Sequence, residues 1–169
     1  MIPDVTRQPW RGESAVVADR VLNGAIVNAD ISYGYEEYLE IVDRFYADDA
    51  EIGSDASSYS LRGKERVKVA LRSILAPIHM MAEVAGLEVS MSESPIPGDS
   101  ADVQHSEWSL ELIGVSGRHV KATWCVRRRW KESLVVDEYH YDFNQVGEPL
   151  SIDDLHVAVA GNVGTLRAS

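Results

Sequence analysis

Arg128-Arg129-Trp130-Lys131-Glu132-Ser133-Leu134-Val135-Val136-Asp137-Glu138 is the stretch on which the reading of the fold turns. Bulky and β-branched residues flank Glu132-Ser133, so it reads as the close of one strand, Arg118 to Trp130, and the opening of another, Leu134 to Phe143. Two earlier segments, Glu83 to Glu93 and Ala101 to Ile113, have the same character. Pro95, Pro97 and Gly98 separate them, and Gly114 and Gly117 follow the second. Four such segments in succession make an antiparallel meander. Ahead of Glu83 the period changes from that of a strand to that of a helix. Tyr35, Tyr38, Leu39, Val42, Phe45 and Tyr46 form an apolar face opposite Glu36, Glu37, Glu40 and Asp43, with Asp48 and Asp49 ending that helix. Glu51 to Ser54 reads as a short strand leading into a polar loop from Asp55 to Ser60. Val67, Leu71, Ile74, Leu75 and Ile78 place another helix after Arg62-Gly63, interrupted near its end by Pro77. Val17, Val21, Leu22, Ala25 and Ile26 place the first helix, from Glu13 to about Ala29. Helices first and a meander after them indicate the α+β class.

The chain has 169 residues, 45 % of them apolar, which suits one domain with one core. That domain is expected over residues 13–146. Residues 1–12, without a period, read as an N-terminal arm, and residues 147–169 as a tail in which Ser151, Asp153 and Asp154 suit the start of a short helix. A formal charge of -11 repels phosphate backbones and anionic membrane surfaces, so neither nucleic acid nor membrane is expected as a partner. Cys125, the only cysteine, excludes an internal disulfide. With no signal-type or membrane-spanning segment in the sequence, the expected compartment is the cytoplasm. His79, His105 and His156 have no ligand-spaced partners, which argues against a metal site.

Phe45-Tyr46-Ala47-Asp48-Asp49-Ala50-Glu51-Ile52, then Leu61-Arg62-Gly63-Lys64-Glu65 at a helix start, resembles the first half of SnoaL-like and ketosteroid-isomerase-like proteins of the NTF2-like superfamily. The hairpin from Arg128 to Glu138, with Tyr141-Asp142 at its end, is similar to their closing hairpin. The resemblance spans about Tyr35 to Phe143. It implies a cone-shaped α+β barrel, a curved antiparallel sheet wrapped around N-terminal helices to leave an apolar pocket, with no cofactor; the outward odd positions of Arg118 to Lys131, a segment holding six of the sixteen basic residues, make a charged outer face or a homodimer contact. The family includes polyketide cyclases, isomerases, dehydratases and epoxide hydrolases. The catalytic aspartate of the isomerases falls at Ser54 or Asp55, and their helix-borne tyrosine near Asp30. The acid/base aspartate of the cyclases falls at His140, and their partner histidine near Val126.

Side chains alternate along a strand, so the closing hairpin can be divided into faces. Val120, Ala122, Trp124, Val126, Arg128 and Trp130 make the inner face of one strand. On the other, apolarity does not choose. The resemblance directs Glu138, His140 and Asp142 inward beside Arg128, which needs an odd-length or bulged turn between Lys131 and Leu134. A plain two-residue turn at Glu132-Ser133 pairs Trp130 with Val135 and sends the three polar residues outward. Facing inward, they would hydrogen-bond to one another, to water or to a ligand. His140 is then the candidate acid/base group, assisted by Glu138, Asp142 or the loop residue Asp55, while Arg128 holds an oxyanion or neutralises Glu138. Val126 and the aromatic residues Tyr46, Tyr59, Trp108 and Trp124 are candidates for the pocket wall, although core packing explains those spacings equally well. The expectation is a cofactor-free enzyme that isomerises, dehydrates, cyclises or hydrates a small, largely apolar substrate. The alternatives are a non-catalytic ligand-binding or dimerisation module, or a structural subunit of an oxygenase-type assembly.

Overall fold

The computed structural model describes residues 12–56, 60–114 and 116–148. Tyr59, the short helix expected after Ser151 and His156 lie outside the described residues. Helix α1, Ala15–Asn28, starts at Ser14, whose Oγ accepts a hydrogen bond from the Val17 N–H at 3.4 Å. Its buried stripe is Ala18, Asp19, Leu22 and Asn23, whereas Val17 and Val21, expected on the core side, are exposed. The helix is turned toward polar partners on the sheet, described below. Helix α2, Glu36–Phe45, buries Leu39, Val42 and Phe45 as its period requires, and Ile41 beside them, which was not expected on that face.

Strand β1, Tyr46–Ser54, follows α2 without a break, so it begins well before the expected Glu51 and carries Asp48 and Asp49 inside it. The acids are tolerated there because they are exposed, and Lys64 Nζ reaches Asp48 at 3.2 Å. A two-residue strand β2, Leu61–Arg62, pairs with β1. Helix α3, Lys64–Ala85, runs through Pro77 and ends at Gly86 in the left-handed conformation (φ 63°), displacing the strand expected from Glu83. Ile78 and Met81 continue its half-buried side past the proline.

Strands β3 (Glu88–Ser100), β4 (Val103–Ile113), β5 (His119–Lys131) and β6 (Leu134–Gly147) form the meander. The sheet order is β2-β1-β6-β5-β4-β3. Pro95 and Pro97 stay within β3 rather than ending it, because β3 is an edge strand and needs no ladder donor on its open side. The expected all-antiparallel barrel is corrected in one respect: β1 runs parallel to β6, so the curved sheet is mixed, and it remains open between β2 and β3. Its inner face closes over a core of Ala18, Leu22, Val42, Phe45, Tyr46, Ala50, Val67, Trp130 and Val135.

The closing hairpin combines both readings of its register. Glu132 and Ser133 both have positive φ, 51° and 63°, giving a two-residue turn of the mirror-image type that suits the strand twist. Lys131 accordingly faces Leu134, and Trp130 faces Val135. The register then shifts at Val136, so that Arg129 faces Asp137, Arg128 faces Glu138 and Val126 faces His140. The irregularity lies in the strand, not in the turn. A second shift, between Thr123 and Cys125, sets Asp142 and Phe143 together against Trp124.

The outer face of β6 is held by a close approach. A Cβ on Gly53 would meet the Tyr139 ring at 2.9 Å. Gly53→Ala is expected to cost about 1–3 kcal/mol, because the ring must leave its place and its hydrogen bond to Asp55 with it. Urea denaturation measures this directly, and an unchanged midpoint contradicts it.

Candidate functional site

Glu138 is the centre of a buried polar network on the inner sheet face. The Val136 bulge directs it inward, where it is 5 % exposed against Arg128 at 3 %. Arg128 Nε donates to Glu138 Oε2 at 2.5 Å, and the Tyr46 hydroxyl donates to the same oxygen at 2.5 Å. The other oxygen, Oε1, lies 2.6 Å from His140 Nε2. On its far side the Arg128 guanidinium reaches helix α1. Its terminal nitrogen donates to Asp19 Oδ1 at 3.2 Å and also to Asn23 Oδ1. Asp19 Oδ1 accepts from Trp130 Nε1 at 3.1 Å as well, and Asn23 Nδ2 donates to Asp19 and to Glu93 at 3.0 Å each.

Charge follows from these contacts. Burial by itself raises the Glu138 carboxyl, but Arg128, then His140, and the hydrogen bonds from His140 and Tyr46 outweigh it and hold the group well below the usual carboxylate range. Burial, reinforced by the Glu138 charge, pushes the Tyr46 phenol far up, so it stays a neutral donor. Burial opposes the charge on Arg128, yet Glu138, Tyr46 and Asp19 more than restore it. Glu93 is raised by burial and then by Asp19.

An ionised Glu138 can only accept, so His140 Nε2 must carry the hydrogen between them. The neutral ring therefore presents Nδ1 as a bare lone pair, and among the described residues that atom has no hydrogen-bond partner. With its side chain 27 % exposed, His140 is a member of the network that an outside molecule can reach, as is Glu93 at the other end. The arrangement can take a proton at Nδ1 and hold the resulting imidazolium against a fixed carboxylate.

The remaining sequence candidates divide. Val126 is 2 % exposed directly opposite His140. Trp108 is buried, with the Arg128 guanidinium carbon 5.8 Å from its ring centre and its Nε1 donating to Ser106 Oγ at 2.9 Å. Arg128 has Nε engaged by Glu138 and one terminal nitrogen by Asp19 and Asn23, which places it first as the neutralising partner of the buried carboxylates. Asp142 does not join Glu138 and His140: it sits exposed in the second bulge with φ 55°. Asp55 is tied to the outer face, accepting from the Tyr139 hydroxyl at 2.6 Å. Asp19, Asn23 and Glu93 were not anticipated. The available signal was the polar pair at i and i+4, Asp19 and Asn23, beside the apolar pair Ala18 and Leu22. Among the described residues no three His, Cys, Asp or Glu side chains group as metal ligands. A cleft of about 390 Å³ at the hairpin tip, lined by Ser14, Ala15, Asp102, Lys131 and Ser133, touches this network only through Trp130.

No protein-family model matches the chain, and no curated protein matches its sequence. Solved structures do match in shape, and they define the fold as NTF2-like. An NTF2-like protein of unknown function from Cytophaga hutchinsonii superposes with a TM-score of 0.53 at 10 % identity, over 74 % of this chain and 96 % of that one. An LEH-like epoxide hydrolase from M. tuberculosis gives 0.51 at 18 % identity, over 92 % and 96 %. A computationally designed 17-OHP binder gives 0.51 at 17 %, over 79 % and 98 %.

The depressed Glu138 carboxyl has a defined sign in stability. Its contribution is complete above the unfolded carboxyl value, near ~4.3, and is lost as pH falls below it toward the lower folded value. Glu138→Gln is expected to cost about 3 kcal/mol at neutral pH by removing one of the two carboxylates paired with Arg128, and to flatten the acid limb of the stability curve. Denaturant unfolding across the acid range tests this; parallel curves for wild type and variant contradict it.

Proposed function

We propose that the protein is a cofactor-independent acid/base enzyme acting on a small, largely apolar molecule, with His140 as the proton-transferring group. The observation that carries this is the 2.6 Å contact of a solvent-reachable His140 with a carboxylate that Arg128 and Tyr46 hold rigidly ionised. Such a pairing fixes the ring's tautomer and orientation and balances the charge that develops when it takes a proton. Val126, Trp108 and Trp124 supply the apolar surroundings. Hydration, isomerisation, cyclisation and dehydration all use a single mobile proton of this kind. One structural neighbour is an LEH-like epoxide hydrolase and another a computationally designed 17-OHP binder, which supports reading the inner face as a ligand site.

A non-catalytic ligand-binding module is the second reading. It is favoured by the number of hydrogen bonds that Arg128 and Glu138 make within the protein. Screening small apolar epoxides, unsaturated ketones and hydroxy ketones for product formation separates the two. The enzyme reading predicts turnover of at least one class, reduced about 100-fold or more in His140→Ala. No turnover by wild type supports the binding module instead, whereas equal turnover by the variant removes His140 from the mechanism.

A further inference from the structure

Three aromatic side chains cross the inner face on neighbouring strands. Trp108 on β4 lies 6.4 Å from Trp124 on β5, ring centre to ring centre, with planes 18° apart. Trp124 lies 6.5 Å from Phe143 on β6, with planes 11° apart. The second bulge is what completes the row. In an unbroken alternation from His140, Asp142 would face inward and Phe143 outward; the extra residue releases Asp142 to solvent and turns Phe143 to the Trp124 side. The row begins at a fully buried Trp108 and ends at Phe143, which is 49 % exposed.

Within this row Trp124 Nε1 is buried, and it is the one such side-chain nitrogen or oxygen among the described residues with no hydrogen-bond partner. The other two inward tryptophans are satisfied, Trp108 by Ser106 and Trp130 by Asp19. An indole nitrogen can only donate, and an unpaired buried donor costs about 1–3 kcal/mol. Trp124 also stands close to His140: Val126 faces His140 across the ladder, and Trp124 is the next inward residue along β5, a diagonal of roughly 7–8 Å. One small ring spans that distance.

We infer that Trp124 Nε1 is the anchoring donor for a neutral ligand oxygen, a carbonyl or ether oxygen carried on a flat unsaturated ring that packs at the Phe143 end of the aromatic row. This rests on the reading of the inner face as the ligand site and adds to it the group that orients the ligand toward His140. The anchoring donor makes the site discriminate by chemistry. A hydrocarbon of the same shape leaves Nε1 unpaired, whereas its oxygen-bearing counterpart satisfies it.

Acetophenone and ethylbenzene form a matched pair of probes, alike in ring and length and differing in the carbonyl. In a nitrogen–proton correlation spectrum of the full chain, acetophenone is expected to move the Trp124 indole N–H peak and ethylbenzene to leave it nearly in place. Trp124→Phe identifies that peak by its loss. It is expected to weaken acetophenone binding about tenfold while leaving ethylbenzene within about twofold, since the ring stack is kept. Through-space contacts from the wild-type indole N–H to the acetophenone methyl group give the same information without the variant. Equal weakening of both probes, or an unmoved Trp124 peak, overturns the inference. If acetophenone shifts the His140 ring signals but not Trp124, the anchor is refuted and the acid/base reading stands. If Trp124 responds while His140→Ala turns over normally, the anchor stands and the acid/base reading falls. Silence of both residues in saturated acetophenone refutes both.

Discussion

The buried contact between Arg128 and Glu138 constrains the rest of the molecule. Two full charges at 3 % and 5 % exposure cannot be left half-satisfied, and each demands partners from a different element. Glu138 takes Tyr46 from the start of β1 and His140 from its own strand. Arg128 takes Asp19 and Asn23 from α1. One ion pair thus ties the N-terminal helix, the parallel strand β1 and the closing hairpin together. Buried pairs of this kind add little net stability compared with apolar side chains of equal volume, but they penalise every arrangement that leaves one charge alone. Here that penalty sets the rotation of α1 and the register of β6.

The two bulges in β6 divide this strand by function. Before Val136 it follows the turn and packs Val135 into the core; after it, Glu138 and His140 face the interior. At Asp142 the face changes again, and an acidic side chain gives way to Phe143. The inner surface therefore changes along one strand from core to polar network to aromatic row. His140 stands at the junction of the last two, partly reachable and backed by a fixed carboxylate.

Much of this was legible in the sequence because hydrophobic period is a strong signal where an element is amphipathic. The face of β5 read correctly, and that of α2 did apart from the buried Ile41; of the two readings of the hairpin, the inward one matches the grouping of Arg128, Glu138 and His140, without Asp142. Helix α1 did not read correctly. Asp19 and Asn23 look solvent-facing by composition, and only their partners on β5 show why they are buried. The start of β1 was hidden for a related reason: Tyr46 continues the apolar period of α2 while already belonging to the sheet. The bulges leave no mark in composition, because Val136 and Asp142 are ordinary strand-segment residues whose position in the ladder depends on pairing across the sheet. Pro77 and Pro95 misled in the opposite sense, since an exposed helix side and an edge strand both tolerate a missing donor.

The central claim is that Glu138 fixes His140 with hydrogen on Nε2 and a bare Nδ1 available for chemistry. Nitrogen NMR of the His140 ring in its neutral form tests this most directly. The account predicts a protonated Nε2 with an unprotonated Nδ1, and loss of that preference in Glu138→Gln. A neutral ring carrying its hydrogen on Nδ1, or a tautomer mixture that does not respond to the Glu138 substitution, contradicts it.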